Sequence, residues 1–340
     1  MTSLADTTPP GILRDELEAW LREHTAIDTD RMRIRTISGG KSNLTYELAD
    51  GAVRWVLRRP PLGPLTPSAH DMLREHRVIA ALGDTAVPVA RAIAACEDDA
   101  VLGVPFAIYE YVEGRTVRSA DEARALPSAA RSRVVGELVS TLAELHRVDR
   151  AAVGLGTLGR PAGFAARQVT RWRGQWERVA TRDGASAVLL ADRLADAVPP
   201  GAGEAVVHGD YRLDNVLVAE DGGIAAVVDW EMATLGDPLT DLGLLLVYAD
   251  PLSEPVLGVE HVSRAGLPDF ERMAELYADA SGRDLGDLDF YLALAYFKLA
   301  VIAEGIHQRF LAGKTVGEGF ASIGEAVDPL LQAGLERIGR

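Results

Sequence analysis

Three polar side chains stand close together in the middle of this 340-residue sequence: Asp210, then Asn215 after four intervening residues, then Asp229 fourteen residues later. Asn215 leads into the apolar run 216–218, and Asp229 follows a second apolar run, 224–228, across the polar stretch 219–223. Two short apolar runs around a glycine-containing turn carry the signal of a β-hairpin. With residues 221–223 as a three-residue loop, pairing carried outward sets Asn215 directly opposite Asp229. Opposed residues on an antiparallel pair share a face with side chains about 5 Å apart, so an amide oxygen and a carboxylate can grip one hard cation. Magnesium bridging nucleotide phosphates fits that arrangement, with Asp210 available to orient or deprotonate a hydroxyl. Singly, each residue reads as an ordinary turn, cap or strand-end residue. Together, with Asp229 in an apolar context where an unpaired carboxylate is costly, they favour chemistry. His208 reads instead as a packing and hydrogen-bonding residue that fixes the loop.

These residues need a scaffold, and the hydrophobic pattern supplies one. Residues 11–24 place Ile12, Leu13, Leu17, Trp20 and Leu21 at helical spacing. Residues 33–38, 44–48 and 53–58 read as three strands joined by turns at 39–43 and 49–51, a small antiparallel meander. The prolines between 60 and 67 break regular structure, after which 69–82 reads as a helix and 106–112 as a further strand. Beyond residue 113 helices dominate, among them 268–280, 288–310 and 318–338, interrupted by the hairpin. The expected class is α+β, with a β-rich lobe over 1–112 and a larger helical lobe over 113–340. Acceptor recognition falls to the helical lobe, where Glu304 and His307 share a helix face at i, i+3. An equally ordinary reading makes them partly exposed polar positions on a packed helix, and Trp172 with Trp176 reads as core.

Composition narrows the partners. A formal net charge of −15 repels phosphate backbones, so nucleic acid is not expected as a partner. An acidic face could attract a cationic substrate, although acidic surfaces chiefly confer solubility. The single cysteine, Cys96, cannot form an internal disulfide. The N-terminal residues lack the charged and apolar tracts of a secretory signal, and the apolar run 242–248 is far below the roughly 20 residues needed to cross a bilayer. The expectation is a cytoplasmic protein with no membrane span, acting as a monomer or homodimer. Only Lys41, Lys298 and Lys314 among 35 basic residues are lysines.

The run His208-Gly209-Asp210 through Asn215, followed by Asp229-Trp230-Glu231, resembles the aminoglycoside phosphotransferase family, a branch of the protein-kinase-like fold. The continuation from Val228 through Gly236-Asp237-Pro238 to Asp241-Leu242-Gly243 is similar to a subgroup related to phosphotransferase domains fused to acyl-CoA dehydrogenases. The resemblance covers about residue 33 to the C-terminus, and its central motifs are the specific part. It implies a bilobal fold that closes over ATP and magnesium and passes a phosphoryl group to a small-molecule hydroxyl, with GTP possible as donor. Asp210 would be the catalytic residue, and Asn215 and Asp229 the metal ligands.

The resemblance also implies roles for residues that spacing alone leaves undecided. Gly39, Gly40, Ser42 and Asn43 look like a nucleotide-covering turn whose backbone N–H groups approach phosphates, although the same turn is an ordinary hairpin taken alone. Arg58 stands where kinases carry a phosphate-pairing lysine; an arginine keeps the charge but changes reach and geometry. Glu75 resembles the acidic partner of that cation, against the reading of a solvated helix glutamate. Glu110 and Val112 lie in a segment similar to the hinge whose backbone would bond the nucleotide base. Asp237 and Asp241 look like supports of the catalytic loop. The favoured acceptor is a metabolite such as a hydroxyacyl thioester or amino alcohol, with an aminoglycoside as the alternative substrate. The alternatives in kind are a nucleotide-binding pseudokinase and a non-enzymatic partner module.

Overall fold

The computed structural model describes residues 8–37, 43–51, 53–63, 71–201, 203–257, 270–314, 320 and 322–339. The chain forms two compact units, Met1–Glu113 with Ala226–Glu231, and Gly114–Ala225 with Met232–Arg340. The short segment Ala226–Glu231 thus belongs to the first unit, although it lies within the span expected for the second lobe.

The first unit opens with α1 (Arg14–His24), whose Leu17 and Leu21, one turn apart, are both fully buried. Strands β1 (Arg33–Thr36), β2 (Leu44–Ala49) and β3 (Arg54–Arg59) form the expected meander. Helix α2 (Met72–Leu82), strand β4 (Ala92–Cys96), the short helix α3 (Asp99–Leu102) and strand β5 (Phe106–Glu110) follow. The strands make one antiparallel sheet in the order β1-β2-β3-β5-β4. Burial alternates along β3, so Trp55, Leu57 and Arg59 turn to one face, where Leu57 joins Tyr46, Leu48, Phe106, Ile108 and the α1 leucines in the core. Each such apolar side chain contributes about 1.5–3 kcal/mol on leaving water. Arg58, one residue out of phase, goes to the other face, and this period-two geometry gives it its role.

Two expectations shift here. Helix α2 begins at Met72, because Asp71 caps it by accepting from Arg74 N at 3.0 Å, and β5 ends at Glu110 instead of 112. Strand β4 was not expected: its Ala-Ile-Ala-Ala-Cys sequence has little of the apolar–polar alternation that marks a half-buried strand.

The second unit contains α4 (Ala120–Arg124), α5 (Ser128–Arg147), α6 (Phe164–Val179) and α7 (Ala185–Asp196). Next come β6 (Ala205–Val207), β7 (Val216–Val218), β8 (Ile224–Val227) and β9 (Thr234–Gly236), of which β8 ends inside the first unit's segment. Helices α8 (Leu239–Tyr248), α9 (Glu254–Leu257), α10 (Phe270–Ser281), α11 (Leu288–Leu311) and α12 (Val327–Ile338) complete it. Strand β6 pairs with β9 and β7 with β8, each as a two-stranded sheet. Helix α11 is apolar all round because it is packed by α6, α7, α8 and α12. By length and composition it could cross a membrane, but most of it is buried within the fold.

The hairpin register departs from expectation. Ala219 N donates to Gly223 O at 2.9 Å and Gly222 N to Ala219 O at 3.0 Å, so the loop is 220–222, not 221–223. The reason is Gly222: it takes the left-handed conformation at φ +88°, and a Cβ there would lie 2.4 Å from Ala130 O. The pairing is displaced by two residues from the frame that set Asn215 directly opposite Asp229. Asp229 lies beyond the end of β8.

Candidate functional site

In the first unit, Arg58 on β3 is the centre of a buried charge cluster. Its Nη1 donates to Glu75 Oε1 on α2 at 2.5 Å and its Nη2 to Asp229 Oδ1 at 3.3 Å. The sequence-level pairing of Arg58 with Glu75 is thus present in the fold, and Glu75 is not a solvated glutamate, being 1% exposed. Burial works against the Arg58 charge, but Glu75 and Asp229 outweigh it and hold the guanidinium above its ordinary value. The same burial pushes the Glu75 carboxyl up to about 7, with Arg58 opposing and Asp229 and Glu231 adding.

Asp229 is the one non-glycine residue with positive φ among the described residues, at 66°. A left-handed aspartate stores strain of about 1 kcal/mol or more and persists only where its surroundings hold it. Trp230 supplies the hold: it is fully buried and its Nε1 donates to Val227 O at 3.0 Å. Glu231 accepts from Asn43 Nδ2 at 3.2 Å. Among the described residues Arg58 Nε, Glu75 Oε2 and Asn43 Oδ1 are buried without a hydrogen-bond partner. The Asp229 side chain, 32% exposed and bonded to Arg58, is the carboxylate of this cluster that solvent reaches.

The other nucleotide candidates divide. Gly39, Gly40 and Ser42 lie outside the described residues. Glu110 turns its side chain outward to Arg91 at 3.1 Å and donates its backbone N–H to Arg91 O. Val112, two residues past β5, makes no backbone hydrogen bond among the described residues, and no contact there bears on its expected role.

The second unit holds the loop that follows β6. Gly209 takes φ +85°, and a Cβ there would meet Met232 O at 2.8 Å. Asp241, fully buried on α8, accepts from His208 N at 2.6 Å and Gly209 N at 2.8 Å. Burial alone would raise its carboxyl, but hydrogen bonds from His146 and the loop hold it below the usual range. His146, whose own pKa burial lowers, donates or accepts through Nδ1 with Tyr277 Oη at 2.7 Å and meets Asp241 at 3.4 Å through Nε2. His208 accepts from Asp210 N through Nδ1 at 3.3 Å, which is the loop-fixing role its position suggested. Asp237 Oδ1 accepts from Leu239 N at 3.0 Å, in the turn that leads into α8.

Asp210 and Asn215 meet within this loop. Asn215 Nδ2 donates to Asp210 O at 2.8 Å and to Asp210 Oδ2 at 3.0 Å, which orients the amide and leaves Oδ1 as its free-facing acceptor. Arg212 Nε lies 3.4 Å from Asp210 Oδ2 and 3.1 Å from Asp214 Oδ1. Burial pushes Asp214 up, and burial with Asp210 pushes the Tyr248 phenol up.

A pocket in the second unit is walled by Phe164, Trp172, Gly209, Leu244, Tyr291 and Lys298, among others. Neither Glu304 nor His307 is in its wall. Glu304 is fully buried and accepts from Thr181 N at 2.5 Å, Thr181 Oγ1 at 2.7 Å and Arg182 Nε at 2.9 Å, a closed structural network. His307 packs on Phe310 and beside Gly324. The α11 residues that do line the pocket lie N-terminal to both, and the i, i+3 spacing could not tell one face of a fully buried helix from another. Lys298 does line the pocket, and its rarity in an arginine-rich chain is the sequence signal for it.

Comparison with known proteins bears on both units. The model of the phosphotransferase enzyme family matches residues 33–276. The chain is 36% identical over 314 residues to acyl-CoA dehydrogenase family member 11 of Gallus gallus, covering 90% of this chain and 40% of that protein. The corresponding Homo sapiens protein is 35% identical over 330 residues, covering 94% and 42%. The chain therefore spans about two fifths of the length of these curated relatives. A Ralstonia eutropha crystal structure, described as a candidate aminoglycoside phosphotransferase, superposes with a TM-score of 0.81 at 32% identity, covering 96% of this chain and 98% of the other. A thermostable mutant of aminoglycoside phosphotransferase APH(4)-Ia, solved with AMP-PNP and hygromycin B, shares the fold at a TM-score of 0.61 and 18% identity, covering 94% and 98%. The Asp210 loop, the Arg58 cluster and the matched family model lead to one conclusion: this chain belongs to the phosphotransferase enzyme family.

Proposed function

We propose that the protein transfers the terminal phosphoryl group of ATP, in the presence of magnesium, to the hydroxyl of a small metabolite. The observation that carries this reading is the bonding of Asn215 Nδ2 to Asp210, which leaves an amide oxygen for a cation and fixes the carboxylate that meets the acceptor. Asp210 orients the hydroxyl for in-line attack and takes its proton as the bond to phosphorus forms. Arg58 supplies positive charge to the phosphates, and Asn215 Oδ1 and the Asp229 carboxylate are the magnesium-binding groups by motif. Magnesium, when bound, neutralises charge on the phosphate oxygens. Catalysis is then mostly positioning and charge neutralisation by prearranged groups. GTP is a second donor to be tested beside ATP.

The acceptor is a hydroxyacyl thioester or amino alcohol in preference to an aminoglycoside. Supporting this are relatives named for acyl-CoA dehydrogenases and a pocket whose wall has no carboxylate for a polycation. The test is ADP release by the purified protein against panels of hydroxyacyl thioesters, choline-like alcohols and amino sugars, with product mass confirming a phosphoryl gain. Asp210→Asn should lower turnover by about 10³-fold or more while MgATP affinity stays within about tenfold, since the group acts mainly in the transition state. Wild-type turnover by that variant on a true substrate would refute the assignment.

A further inference from the structure

Lys298 is one of only three lysines among 35 basic residues, and it occupies the wall of the second unit's pocket. Its Nζ donates to Gly209 O at 2.9 Å, so the residue before Asp210 is held at both ends, its N–H by Asp241 and its carbonyl by Lys298. A compact ammonium with three donors can make that bond and still present others. The ammonium also lies 5.7 Å from the centre of the Trp172 ring, and Arg171 lies over the same ring at 5.5 Å. Two cations thus share one aromatic wall, and no aspartate or glutamate is among the residues lining the pocket.

The charge balance around Lys298 has an opening in it. Burial lowers its pKa, Asp210 and Asp241 oppose that, and Arg171 and Arg212 add to it. A buried ammonium gains most from a further anionic or strongly accepting oxygen placed against its remaining donors.

We infer that Lys298 is a positioning and specificity residue, one N–H fixing the Gly209 carbonyl and the others holding a carboxylate or carbonyl oxygen of the acceptor against the Trp172 wall. This rests on the phosphotransferase reading and narrows its acceptor to a hydroxylated acid or acyl compound with an apolar body. A polyamine would bring its own charges against Arg171 and Lys298, and an alcohol without an accepting oxygen would leave the donors unmatched.

Calorimetry on the full chain with MgADP tests this with three probes: sodium 3-hydroxyoctanoate, 1,3-octanediol and kanamycin. The hydroxy acid should bind at least about tenfold more tightly than the diol, as expected when one charge-assisted bond is gained, and kanamycin more weakly than either. Lys298→Met should erase the preference with MgADP affinity unchanged, and Lys298→Arg should restore part of it. Arg171→Met, at an exposed position where folding is not at stake, should reduce the preference about threefold. Equal binding of acid and diol, no binding of the acid, a preference surviving in Lys298→Met, or loss of MgADP affinity in that variant would each overturn the inference. Binding is read without turnover, so a lysine-dependent preference with no phosphoryl transfer would sink the kinase reading alone.

Discussion

Replacing Glu75 with glutamine should change how stability depends on pH, by an amount that the first unit's geometry sets. The Glu75 carboxyl is fully enclosed against Arg58, and burial, with Arg58 opposing and Asp229 and Glu231 adding, raises it from 4.5 to about 7. Between those values the native protein keeps a proton that the unfolded chain has released. The stabilisation is complete below about 4.5 and is lost as pH climbs through about 7. At about 1.36 kcal/mol per unit, this gap corresponds to about 3 kcal/mol. Denaturant unfolding of wild type and Glu75→Gln from pH 5 to pH 8 measures it, because subtracting the two free energies cancels the titration of the remaining carboxylates. The wild-type advantage should shrink as pH rises, by most of that amount. A difference that stays flat, or grows with pH as it would for a carboxylate stabilised mainly by Arg58, would show that the ion pair and not burial governs Glu75.

Two further outcomes follow from the second unit. Gly209→Ala places a Cβ 2.8 Å from Met232 O on a backbone at φ +85°, so it should cost about 1–3 kcal/mol of unfolding free energy and lower kcat more than KM; a wild-type melting temperature and kcat would contradict this. Glu304→Ala removes the acceptor of three hydrogen bonds and leaves Arg182 without its buried partner. It should destabilise by about 3–5 kcal/mol with acceptor KM unchanged, and a KM effect without destabilisation would return Glu304 to the substrate site.

Much of what the chemistry needs was readable because it is local. Asp210, His208 and Asn215 lie within eight residues, and a tight loop leaves little freedom in how they bond, so their contacts with one another followed from the motif. The meander of β1 to β3 was equally legible, since period two with glycine turns admits few alternatives. The match of Arg58 with Glu75 came from the family resemblance and was confirmed by burial, which no spacing rule supplies. The hairpin register failed by a single residue of loop, because Gly222 and Gly223 are equivalent in sequence and only the Ala130 backbone pressing on Gly222 distinguishes them. The choice among polar residues on α11 was likewise invisible: a helix packed on all sides has no apolar stripe to orient it, so which of Lys298, Glu304 and His307 meets the pocket was decided by the neighbours. The sequence by itself determined the family and the internal bonding of the Asp210 loop. The tertiary structure alone decided the buried cluster around Arg58, the strain at Asp229 and the identity of the pocket wall, because each depends on contacts between segments whose separation along the chain carries no energetic signal.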